Sequence, residues 1–214
     1  ETDSLEVIRY ITNNDSLAKY GVDSNTMMTL IIPNSYLMWW NAPVKNILAR
    51  FADQQKKFWE GKREAKAAAH NLTPQQVYTM ASIVEEETNK QEDKGLIASV
   101  YMNRLKKGMK LEADPTVKYA MRNFGLKRIM HGHLEYPSPY NTYRQTGLPP
   151  GPISTASIST IDAVLDAPET DYIFFVAKPD FNGYSNFAAT YQQHLVYAKA
   201  YQRALDSLIL SRNK

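Results

Sequence analysis

The chain has no cysteine, no secretory signal peptide and no run approaching the ~20 apolar residues of a membrane span. The missing cysteines exclude a disulfide scaffold and thiolate chemistry, and they leave the compartment open. Four scattered histidines show no metal-ligand spacing. His131 and His133 form an i, i+2 pair in a loop, so no metal is expected. A Gly-rich phosphate loop, a G-x-S-x-G elbow and internal repeats are also lacking, and no cofactor is expected. A marked excess of one charge sign is lacking too. The net charge is +3, with acidic and basic residues interspersed, and nothing in it calls for nucleic acid. The basic pairs at 56–57 and 62–63 read as a solvated helix face.

What is present is an ordinary globular composition, 43% hydrophobic and 22% charged over 214 residues. That length suits one large domain, or one domain with a small appendage. The opening Glu1-Thr2-Asp3 is abrupt and reads as the start of a soluble fragment of something longer.

The segment Thr73 to Thr88, TPQQVYTMASIVEEET, predicts a helix with a defined start. Thr73 fits the N-cap, Pro74 the first helical position and Gln76 the far side of a capping box. Val77, Met80, Ala81, Val84 and Thr88 recur at helical spacing. Three glutamates follow. Glu86 projects away from the apolar stripe, Glu87 falls inside it and Glu85 lies at its border. A carboxyl at the edge of an apolar wall can have a raised pKa and still meet a substrate, as a general acid requires. Helical spacing alone leaves Glu85 and Glu87 both open.

Other elements follow from pattern. Residues 4–20 predict a helix with Leu5, Ile8, Ile11 and Leu17 inward. A helix from about 43 carries Val44, Ile47, Leu48, Phe51, Phe58 and Trp59. Another spans about 92–107 and stops at Gly108. Asp114-Pro115 reads as an N-cap and N1 proline. Residues 131–153 hold too many prolines for a regular helix or central strand, yet too many tyrosines for a linker. An ordered loop lining a groove is expected there. Helical residues 156–166 follow, then a buried strand at 172–177, an Asn182-Gly183 turn, a returning strand at 184–188 and a helix at about 190–210. The class is α+β, mainly helical with a small β-hairpin.

Three blocks, ASIVEEET at 81–88, VYMNRLKKGMKLEADPTVKYA at 100–120 and SPYNTYRQTGLPPGPIS at 138–154, resemble the endolytic murein transglycosylases, the MltG or YceG-like family. The resemblance covers roughly residues 33–190. It implies a remnant of a small LysM-like module at 1–42 and a catalytic domain at 43–214. Leu37 stands where many members have Glu. The family's N-terminal membrane anchor is missing from this chain, so membrane contact is implied only through an absent anchor. The implied location is the periplasmic face of the bacterial inner membrane.

The resemblance makes Glu85, the first Glu of the block, the catalytic residue. It implies non-hydrolytic cleavage of the MurNAc–GlcNAc β-1,4 bond in nascent peptidoglycan glycan strands, giving 1,6-anhydro ends and terminating elongation. Peptidoglycan synthases are the implied protein partners. Substrate-binding roles fall to Glu87, Asn103, Arg104, Asp114, Thr116, Tyr140, Asn141, Thr142 and Tyr143, with Arg104 also a candidate partner for Glu87. Three rivals remain: a non-catalytic peptidoglycan-binding module; a hydrolytic muramidase using Asp114 or Glu112 as second carboxylate; and a pyridoxal-phosphate lyase, for which no lysine has a recognisable setting.

Overall fold

The structure is a computed structural model that describes residues 3–126 and 128–212. Its centre is helix α5 (Pro74–Glu87). The expected capping box is formed: the Gln76 amide donates to Thr73 Oγ1 at 3.2 Å, and the Thr73 amide donates to Gln76 Oε1 at 2.8 Å. From Val77 to Val84 every residue is buried, so α5 is wrapped on all sides rather than on one stripe. Each large side chain buried there stabilises by roughly 1.5–3 kcal/mol. Its wrapping comes from α6 (Gln91–Lys106), α7 (Asp114–Ala120) and α9 (Ile158–Leu165), with α4 (Lys62–Ala69) alongside.

Strands β1 (Phe174–Ala177) and β2 (Ser185–Ala188) form the expected hairpin, antiparallel with Phe175 opposite Phe187. The long helix α10 (Tyr191–Arg212) packs against it. The hairpin is half-buried, where the sequence pattern predicts a buried strand.

The N-terminal region departs from expectation. Residues 4–20 form two helices, α1 (Ser4–Ile11) and α2 (Asn14–Ala18), because Asn13 caps a new start: its Oδ1 accepts from the Ser16 amide at 3.0 Å. Leu5 and Ile8 are exposed, while Val7 and Ile11 face the packed side. A single 3₁₀ turn follows at Met27–Leu30. Leu17, Val22 and Leu30 make a second small core with Val44 and Leu48 of α3 (Val44–Trp59). This core bridges the boundary expected between residues 42 and 43.

The stretch 131–153 is ordered and mostly irregular, with one helical turn, α8 (His131–Leu134). It is tied to α5 where the Ile153 amide donates to Ser82 Oγ at 3.0 Å. Gly151 is required there by close approach: a Cβ would stand 2.0 Å from the Asn25 carbonyl oxygen. No helix among the described residues is long and apolar enough to cross a membrane.

Candidate active site

The three glutamates at the end of α5 separate as the helical spacing predicts: Glu86 is exposed, and Glu85 and Glu87 are half-buried. They enter opposite environments.

Glu85 Oε2 accepts from Lys94 Nζ at 3.2 Å and Ser157 Oγ at 2.9 Å, and from Thr160 Oγ1. Lys94 also donates to Thr160 Oγ1 at 2.6 Å. Ser157 is the N-cap of α9, so Glu85 sits at a helix N-terminus, where negative charge is stabilised. Burial pushes its carboxyl up, but the two hydroxyls and Lys94 outweigh this and hold it below the usual carboxylate range. The raised pKa expected of an acid is therefore not found at Glu85. Ser157, Thr160 and Lys94 lie outside the motif's own helix, so sequence spacing could not supply this.

Glu87 has the setting expected of an acid. It lines a cleft of about 410 Å³, shared with Arg104, Glu112, Asp114 and Tyr143. A second hollow of about 290 Å³ adjoins it at the end of α5 and also contains Glu87. Glu87 Oε1 accepts from Tyr101 Oη at 2.8 Å. Burial raises its carboxyl to about 7, the nearby Asp114 adds to the rise, and the Tyr101 hydroxyl and Lys118 oppose it. Phe174 and Phe175 from β1 and Tyr191 and His194 from α10 complete the wall.

The other predicted residues divide between lining and scaffold. Tyr143 lines the cleft, and its hydroxyl donates to Asp114 Oδ1 at 2.6 Å. Burial and this carboxylate push the Tyr143 phenol up. Asp114 is not the N-cap that the sequence suggests. It is the first residue of α7, Ala113 takes the cap position without a side-chain bond, and the carboxylate is turned to Tyr143. Arg104 pairs with Glu112 at 3.0 Å, not with Glu87. Its guanidinium also donates to the carbonyls of Ile173 and Leu111, at 2.7 and 3.0 Å. It thereby clips β1 to the segment before α7.

Thr116 and Thr142 are buried and bonded to each other at 2.8 Å, and Thr142 Oγ1 accepts from the Ala113 amide at 3.0 Å. Tyr140 packs at a tilt against Tyr119, ring centroids 4.8 Å apart, and donates to Asn25 Oδ1 at 3.3 Å. Asn103 donates to the carbonyls of Thr170 and Tyr172, at 2.7 and 2.9 Å. It borders a separate hollow of about 620 Å³, which none of the carboxylates of the three shared blocks lines.

Asn141 is fully buried, contrary to its expected contact with sugar. Its Nδ2 donates to the carbonyls of Leu134 and Tyr136, both at 2.9 Å, and its Oδ1 accepts from the Tyr143 amide at 3.0 Å. An amide with donors and acceptor so engaged has nothing left for a ligand. Asn141→Ala is expected to act on stability, with a loss of about 2–3 kcal/mol from the orphaned carbonyls and amide. Thermal unfolding checks this; a variant that melts like the parent but binds glycan poorly would return Asn141 to the groove.

Within the loop expected to form a wall, Tyr143 reaches the Glu87 cleft, whereas Leu148, Pro149 and Pro150 line a hollow of about 470 Å³ beside the start of α5.

A family model described as the YceG-like family matches residues 2–200, and the chain belongs to that family. The endolytic murein transglycosylase of Bacillus subtilis (strain 168) is 41% identical over 152 residues, which are 71% of this chain and 38% of that one. The protein of the same name from Streptococcus pneumoniae serotype 2 (strain D39) is 37% identical over 111 residues, covering 50% of this chain and 20% of its own. The chain thus spans well under half the length of these relatives. A protein of Listeria monocytogenes described as yceG-like, solved as a crystal structure at 2.6 Å, superimposes with a TM-score of 0.76 at 27% identity. The match covers 90% of this chain and 67% of that one.

Proposed function

We propose that this chain is the catalytic part of an endolytic lytic transglycosylase acting on peptidoglycan glycan strands, with Glu87 as its acid. The observation that carries the reading is the Glu87 carboxyl, raised to about 7 by burial in a cleft walled by aromatic rings. The name shared by the bacillar and streptococcal relatives supports the reaction class.

A carboxyl with that pKa is partly protonated at neutral pH and can give up its proton in the transition state. It protonates the glycosidic oxygen as the C1–O bond breaks, and the GlcNAc end leaves as an alcohol. The same group, now a carboxylate, accepts the proton of the MurNAc C6 hydroxyl as that oxygen bonds to C1. The product is a 1,6-anhydro ring, the carboxyl is regenerated and no water is consumed. Tyr101 orients the carboxyl through its 2.8 Å bond. Tyr143 and Tyr191 offer flat faces to sugar rings. Glu85 in this reading is a clamp between α5, α6 and α9 rather than the acid.

Asp114 and Glu112 share the cleft with Glu87, which favours hydrolysis as the second reading, since a hydrolase needs a second carboxylate. Mass spectrometry of products from purified glycan strands separates the two: anhydro ends are expected, and reducing ends would establish hydrolysis. In this reading the site works on the extracytoplasmic side of the envelope. A membrane anchor, a LysM-like origin for residues 1–42 and contact with peptidoglycan synthases complete this reading; they rest on the family resemblance alone.

A further inference from the structure

His194 stands fourth in α10 and lines the Glu87 cleft. Its ring stacks on Phe174 at 5.1 Å and 22°, with Tyr191 at 6.3 Å, so its plane is held by two aromatic neighbours. Its Nδ1 is buried and has no hydrogen-bond partner among the described residues. A buried N–H without an acceptor is more costly than a buried lone pair without a donor. The ring proton therefore resides on Nε2. That nitrogen also lacks a partner among the described residues, and it is not closed off. The imidazole stays neutral because burial and the nearby Arg104 charge lower its pKa, and the positive end of the α10 dipole acts the same way. The cleft wall thus holds a fixed neutral N–H donor with nothing in the protein to receive it.

We propose that His194 is a substrate-contacting residue whose Nε2–H donates to the acetamido carbonyl oxygen of an N-acetylated sugar in the Glu87 cleft. The acetamido carbonyl is the strongest neutral acceptor that such a glycan presents. A neutral donor suits it better than a cation, which would prefer the carboxylates already lining the cleft. The proposal rests on the glycan reading of this cleft, but not on which carboxylate is the acid.

The test compares kcat/KM on acetylated glycan strands and on chemically N-deacetylated ones. His194→Phe keeps the stacking and removes the donor. It should lose about 10-fold on acetylated strands, the size of one neutral hydrogen bond, and change little on deacetylated ones. His194→Gln carries an amide N–H near the Nε2 position and should restore most of the loss; His194→Asn, whose amide mimics Nδ1, should not. Full activity of His194→Phe on acetylated strands, an equal loss on both strand types, or rescue by Asn and not Gln would overturn the contact. If the unmodified protein cleaves neither strand, the proposed activity fails. The dissociation constants of the same variants for the two strand types then decide the contact separately.

Discussion

Glu87→Gln is expected to remove glycan cleavage, by at least about 10²–10⁴-fold, while the protein remains folded. Gln keeps the shape and can still accept the Tyr101 hydrogen bond, but it has no proton to give. The wild-type pH profile should carry the same signature. The free enzyme needs Glu87 protonated, so kcat/KM should fall as pH rises through about 7. Stability should move in the same direction. The folded-state value, about 7, lies above the ordinary 4.5. Stability tied to this group is therefore fully present below 4.5 and is lost as pH rises through about 7. The interval corresponds to roughly 3 kcal/mol, an upper bound for a side chain that still reaches the cleft. Glu87→Gln abolishes that dependence, so the variant should melt higher than wild type at pH 8 and no higher at pH 4. An inactive enzyme more stable than its parent is the trade expected where a site stores an unfavourable charge. Substantial turnover by folded Glu87→Gln would sink the assignment.

The elements that could be read in advance are those specified by neighbours in sequence. The Thr73–Gln76 capping box, the stop at Gly108, where φ is +65°, and the hairpin about Asn182-Gly183 each depend on a few adjacent residues. The order of exposure among Glu85, Glu86 and Glu87 is of the same kind, because helix geometry sets it. The choice between Glu85 and Glu87 is different. It depends on Ser157 and Thr160, more than 70 residues on, and on a cleft wall drawn from β1 and α10. Asn141 shows the same limit. An amide beside tyrosines suggests sugar recognition, yet burial assigns it to the carbonyls of Leu134 and Tyr136. His194, isolated in sequence, becomes notable only once its unpartnered nitrogen is seen in the cleft.

Glu85→Gln should damage the fold more than the chemistry. Lys94, with 8% of its side chain exposed, loses its only carboxylate partner among the described residues. Breaking a buried pair from one side costs about 3–5 kcal/mol; because 26% of the Glu85 side chain is still exposed, a smaller loss, about 2–3 kcal/mol, is expected. For a domain of this size that is a fall in Tm of roughly 5–10 °C. Replacing both partners, Glu85→Leu with Lys94→Met, should recover much of the loss, because no stranded charge remains. The pH dependence runs opposite to that of Glu87. The Glu85 carboxyl is held below its ordinary 4.5, so its contribution is present above that value and disappears as pH falls through the folded-state value. Melting curves of wild type and Glu85→Gln should therefore converge in acid and separate at neutral pH. Folded Glu85→Gln should still cleave glycan within about 10-fold of wild type, a margin below the 10²–10⁴-fold expected for loss of a general acid. A variant that melts normally at pH 7 yet has lost all turnover would make Glu85 the acid and Glu87 a buried bystander.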